Sequence, residues 1–148
     1  MNRRQFVLAS ASSVAVGISS RALAQGAAQH GAASAGPWVK NAALVDAAAE
    51  CVKAGEVCRE HCLTLLRTGD ESMAKCSETV STMLPMCRAL EALAIQGSPY
   101  LKAQAALCAK ACRDCEAACK VHANHHETCK RCMETCQRCA AACETYAA

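Results

Sequence analysis

The sequence predicts an all-α protein, an antiparallel up-down-up-down four-helix bundle with a cysteine-lined core. Three observations predict it. From Trp38 onward the chain is rich in Ala, Glu, Lys, Arg and Leu, and it is interrupted only by residues that start or stop helices. Within each uninterrupted stretch, small and apolar residues recur at alternating spacings of four and three, the mark of one buried helical face. The connections are only a few residues long, which forces successive helices to lie antiparallel. At 148 residues the chain is one domain's worth.

Residues 1–24 read as an address rather than as structure. Arg3-Arg4-Gln5-Phe6-Val7 resembles the twin-arginine export motif and leads into an apolar stretch, Val7 to Ile18, too short to span a bilayer. Ala22-Leu23-Ala24 offers a small-x-small cleavage site, so the mature chain is expected to start near Gln25 and to work in the periplasm or another extracytoplasmic compartment, with no stable membrane anchor. The twin-arginine route carries folded proteins, which suits a chain whose thiols must be kept from random oxidation. Residues 25–37, made of Gly, Ala, Ser and Gln with one His and ending at Pro37, lack apolar periodicity and are expected to form a flexible leader; residues 38–148 make the bundle.

The first helix is expected over Val39 to Thr68, closed by Gly69, with Asp70 placed to cap the second. The second runs from Glu71 to Gln96, with a kink at Pro85, and ends at Gly97. Ser98-Pro99 is a cap followed by a proline at the first helical position, opening a third helix that reaches His122. Asn124 breaks the pattern before the fourth, from His125 to Tyr146.

The seams of these helices are unusual. The first carries Leu44, Ala48, Cys51, Gly55, Cys58, Cys62 and Leu65; the second Met73, Cys76, Val80, Met83, Cys87, Leu90 and Ala94. The third carries Leu101, Ala105, Cys108, Cys112, Cys115, Cys119 and His122; the fourth Cys129, Cys132, Cys136, Cys139, Cys143 and Tyr146. All 14 cysteines therefore fall on core seams, in a chain with only 3% aromatic residues.

Four readings compete. Cysteine can serve as a small buried hydrophobe, but the fourth seam has no Leu, Ile, Val or Phe between Cys129 and Cys143, and each missing methylene forfeits about 0.8 kcal/mol of burial. An exported chain can be stapled by disulfides. Cysteines three or four apart on one helix, however, have Cβ atoms about 5–6 Å apart, beyond the roughly 3.5–4.5 Å a disulfide needs, so only bridges between helices stay open. Cys112-x-x-Cys115, Cys129-x-x-Cys132 and Cys136-x-x-Cys139 spell a redox dithiol, yet they face inward, and only Cys129 is near a helix start. Soft metal ions remain. Zinc asks for four tetrahedral ligands, whereas Cu(I) is content with two thiolates, which i,i+3 or i,i+4 pairs supply.

Cys58 with Cys62, Cys108 with Cys112, Cys115 with Cys119, Cys132 with Cys136 and Cys139 with Cys143 are such pairs, while Cys51, Cys76, Cys87 and Cys129 would pair across helices. One monovalent copper per bridging thiolate leaves the interior near neutral, so loading with multiple Cu(I) ions could approach one per cysteine. A low-stoichiometry metallochaperone and a disulfide-stapled structural bundle are the alternatives. The formal charge of +3 includes Arg3, Arg4 and Arg21; beyond residue 24, 13 basic side chains balance 13 acidic ones, so nothing electrostatic points to nucleic acid.

The twin-arginine leader, Cys58-Arg59-Glu60-His61-Cys62, Asp70-Glu71-Ser72-Met73-Ala74-Lys75-Cys76 and the cysteine-lined third and fourth helices resemble the bacterial copper storage proteins. The likeness covers about residues 40 to 146. It implies a four-helix bundle, a homotetramer, many Cu(I) ions held by core cysteines, and supply of copper to enzymes such as methane oxidation catalysts, or detoxification, rather than catalysis.

In this topology His61, Met73, His122, His125 and His126 gather at one pole beside Cys62, Cys76, Cys119 and Cys129. Leu44, Leu90, Ala94, Leu101 and Tyr146 gather at the other. Copper is expected to enter at the histidine end. By resemblance His61 and Met73 match entrance ligands, whereas Leu65 and Thr68 stand where related exported members carry methionines. Met83, Met86 and Met133 read as packing, and Trp38 as a lid or oligomer contact.

Overall fold

The computed structural model of the protein describes residues 36–148; the expected export signal and nearly all of the expected leader lie outside them. The described chain comprises α1 (Pro37–Lys40), α2 (Ala42–Arg67), a 3-10 turn (Glu71–Met73), α3 (Ala74–Gln96), α4 (Leu101–His122) and α5 (Glu127–Ala147), with no strand among the described residues. The four long helices form a square. α2 packs on α3 and α5, α4 packs on α3 and α5, and the diagonal pairs meet only through side chains, their backbones staying apart. No described helix is long and apolar enough to cross a membrane.

Local chemistry sets the corners. Gly69 (φ +90) and Gly97 (φ +63) adopt the left-handed conformation that closes a helix, and the N–H groups of Asp70 and Ser98 reach back to the carbonyls of Leu65 (3.1 Å) and Leu93 (3.0 Å). The Asp70 carboxylate accepts from the Ser72 N–H (3.1 Å) and hydroxyl (2.6 Å), as its capping position predicts.

Boundaries differ from expectation where tertiary contacts intervene. The first helix is broken at Asn41, whose side-chain amide donates to the Ala94 carbonyl at the end of α3 (2.9 Å). Ser98 builds a capping turn, accepting from Tyr100 N–H at its hydroxyl (3.2 Å) and from Leu101 N–H at its carbonyl (3.1 Å), so α4 starts two residues beyond Pro99. His125 and His126 belong to the last connection, both N–H groups donating to the His122 carbonyl (3.0 and 2.9 Å). α3 continues as one helix through the exposed Pro85.

Ion pairs lace the outside. Arg113 grips both oxygens of Glu144 (2.9 and 2.8 Å) and reaches Glu116 (2.8 Å), tying α4 to α5. Arg138 and Glu50 (3.1 Å) tie α5 to α2, and Arg88 and Arg59 share Glu56, tying α3 to α2. Such exposed pairs contribute below about 1 kcal/mol each and serve mainly to fix register.

Inside, Leu44, Ala48, Leu90, Ala94, Leu101 and Ala105 are buried and plug one end. Tyr146, expected on the seam there, is instead exposed, because it lies in the last turn of α5, past the final buried layer at Cys143.

Candidate metal centre

Beyond the apolar plug the core is mostly sulfur, with Val80 and Leu84 buried beside it. All fourteen cysteines are fully buried and are free thiols. The four-three spacing puts every one of them on the inward face of its helix, and because the diagonals stay apart the sulfurs share a central column. On α5 that column runs from Cys129 to Cys143, about 21 Å at the helical rise.

The sulfurs fall into five groups in which all ligand atoms lie within 4.8 Å of one another: Cys58/Cys62/Cys76/Cys129 at the histidine end, Cys58/Cys119/Cys132 and Cys115/Cys132/Cys136 further in, then Cys51/Cys87/Cys112/Cys139 and Cys108/Cys139/Cys143. Together the groups use every cysteine, and Cys58, Cys132 and Cys139 each belong to two. The same-helix pairs expected from the sequence are present, Cys108 to Cys112 and Cys115 to Cys119 each at 3.9 Å between sulfurs. So are the cross-helix partners: Cys51 to Cys136 (3.7 Å), Cys76 to Cys119 (3.5 Å), Cys87 to Cys108 (3.5 Å) and Cys129 to Cys58 (4.0 Å).

Crowding polarises the thiols. Cys139 lies well below an ordinary thiol because the S–H groups of Cys108, Cys112, Cys143 and Cys51 can turn toward it. Cys119 is lowered by Cys115, Cys132, Cys58 and Cys76, and Cys129 by Cys58, Cys62 and Cys76. Their neighbours move the other way. Cys58 is raised by Cys119 and Cys129, Cys87 by Cys108 and Cys112, and Cys136 by Cys112 and Cys115, with burial adding to each. The column thus holds closely spaced thiols that can donate to or accept from one another, and a cation bound among them would displace protons.

At the histidine end, His61 Nε2 and His126 Nδ1 are 3.0 Å apart, and the His122 ring lies 6.3 Å from that of His126. Met73 opens the second long segment at this end and is fully buried. His125 is not brought in. It is exposed, and its ring makes no hydrogen bond or ring contact among the described residues. Leu65 is half-buried and Thr68 exposed.

One sulfur was hidden from sequence reasoning. Met83, read as packing, accepts from the thiols of Cys51 (3.5 Å) and Cys87 (3.4 Å). The available signal was its position one helical turn before Cys87; the contact with Cys51 crosses to another helix.

The comparisons agree with this geometry. The sequence model of the copper storage protein family matches residues 39–148. Among solved structures, Cu(I)-bound copper storage protein 3 of Bacillus subtilis is 28% identical, with a TM-score of 0.67 over 73% of this chain and 98% of that one. The apo form of the Bacillus subtilis protein is 29% identical, with a TM-score of 0.65 over 73% of this chain and 99% of that one. A search of curated protein sequences finds no match. A match that runs from the first turn of the helical domain to its final residue establishes that the chain belongs to the copper storage protein family.

Proposed function

We propose that this protein stores Cu(I), holding many ions at once in its thiol column and giving them up as cargo. The observation that carries this reading is that every one of the fourteen thiols lies in at least one close sulfur group. Three sulfurs shared between groups are suited to bridging. Bridging thiolates matched by monovalent ions keep a buried core near neutral, which divalent ions at the same loading would not. The Bacillus subtilis relative, solved both Cu(I)-bound and apo, supports a core that takes the metal as cargo.

The role is holding rather than catalysis, since the dithiol spacings put both thiols on buried faces, away from any macromolecular substrate. His61, His122 and His126, with Met73 beneath, form the way in, and the leucine plug closes the far end. Export by the twin-arginine route is supported by Arg3 and Arg4; a homotetramer and hand-over to a copper enzyme are supported by the family resemblance.

The test is an anaerobic Cu(I) titration of the reduced mature protein against a chromophoric chelator, with thiols counted in the same sample. Copper withheld until about fourteen equivalents is the expected result, one per cysteine. Saturation after one or two equivalents would indicate a chaperone, and a near absence of free thiols in the apo protein as purified, before reduction, a disulfide-stapled bundle.

A further inference from the structure

We propose that the Met83 thioether is a copper ligand of the inner core, and that it biases the Cys51/Cys87/Cys112/Cys139 quartet toward Cu(I) and away from zinc. The inference rests on the storage reading above and deepens it at one site. Four thiols within 4.8 Å of one another are also the donor set of a tetrahedral structural zinc site. In this quartet two of the four, Cys51 and Cys87, already donate to the Met83 sulfur, at 3.5 and 3.4 Å. A fifth sulfur therefore sits against the same cluster, accepting from two of its four thiols.

The backbone makes room for it. Gly55 on α2 faces Met83 across the helix interface, and a Cβ there would stand 2.7 Å from the Met83 methyl and 3.0 Å from Leu84 Cδ2. Met83 is fully buried, so its thioether is held in place rather than free to swing into solvent. No methionine hydrogen-bonds to a thiol of the other quartet, Cys58/Cys62/Cys76/Cys129, among the described residues.

Chemistry gives this placement its consequence. A thioether is neutral and soft. It adds a bond to Cu(I) without adding charge and without a proton to release, and it offers a harder dication little in return. Loading removes the two S–H protons that now point at Met83 and leaves its lone pairs facing the metal.

The test uses selenomethionine-labelled mature protein loaded anaerobically with Cu(I), read by X-ray absorption at the selenium edge. Residues 25–148 contain four methionines, Met73, Met83, Met86 and Met133, so ligation by Met83 predicts a copper neighbour for about a quarter of the selenium, to which the entrance residue Met73 can add at most another quarter. Met83→Leu, which conserves volume, should remove Met83's quarter of that signal, leaving at most the share of the entrance residue Met73, and raise the share of zinc bound in a zinc–copper competition several-fold; an unchanged signal overturns the assignment. Should that variant fail to fold, Met73→Leu decides, because the signal must survive loss of the other fully buried methionine. Copper loading without a copper neighbour at selenium overturns the Met83 assignment alone, as does a signal lost in Met73→Leu. Failure to load copper overturns the storage reading with it.

Discussion

Exchanging Cu(I) for Zn(II) should cut the metal capacity from about fourteen ions to about two, a ratio that follows from which sulfurs can meet around one centre. Among the described residues only two groups contain four mutually close thiols, Cys58/Cys62/Cys76/Cys129 and Cys51/Cys87/Cys112/Cys139, and they share no residue. Two tetrahedral zinc ions would consume those eight. Cys108, Cys115, Cys119, Cys132, Cys136 and Cys143 would then be stranded in sets too small for a closed zinc site. Two-coordinate Cu(I) faces no such limit, because any neighbouring pair suffices and a shared sulfur counts twice. The assay is a parallel anaerobic titration of the apo protein with each metal against a chromophoric competitor, followed by labelling of the unligated thiols. Zinc should leave about six labelled, with the second ion held more weakly than the first because its quartet contains Met83. Zinc uptake beyond about four ions would refute the division into two closed quartets.

Three further outcomes follow from the same structure. Replacing His61 and His126 together by alanine should slow Cu(I) uptake in stopped-flow chelator transfer while leaving the final copper count intact, since neither ring is among the thiol groups. Leu90→Ala, in the buried plug, should lower the urea stability of the apo protein by about 2–5 kcal/mol without altering copper capacity. The apo protein should lose stability above about pH 9. Neighbouring thiols and burial raise Cys58, Cys87 and Cys136 above the usual thiol value of 9.0, so the unfolded chain ionises first and the advantage present at lower pH disappears as pH climbs. Denaturation midpoints measured across that range would refute this by staying level, and the Cu(I)-loaded form, whose thiols carry no protons, should lack the decline.

The part of the molecule legible in the sequence is the part governed by helical period. Cysteines at 129, 132, 136, 139 and 143 can face one way only, and all five are buried. Glycines at 69 and 97 end helices because a left-handed residue is needed there, and both are left-handed. What escaped depends on contacts between segments. Asn41 breaks the first helix because a carbonyl from α3 is waiting for its amide, and nothing near residue 41 in sequence says so. Histidines 122, 125 and 126 look equivalent in a run of text, yet only the first and last lie beside other rings, since the turn carries His125 outward. The Met83 sulfur sits with Cys51 by virtue of α2 and α3 approaching at Gly55, a distance no spacing rule encodes.

The sulfur column is buried along its length, with the histidine rings beyond one end and leucines stopping the other. With the histidine end as the way in, its contents form a file rather than a pool. An ion beside Cys143 can leave only after those beside Cys129 and Cys58 have moved, so the amount held and the amount promptly exchangeable are separate quantities. Cysteine number sets the first; depth along the bundle sets the second. Lengthening such a protein by a heptad would enlarge its reserve without quickening its delivery.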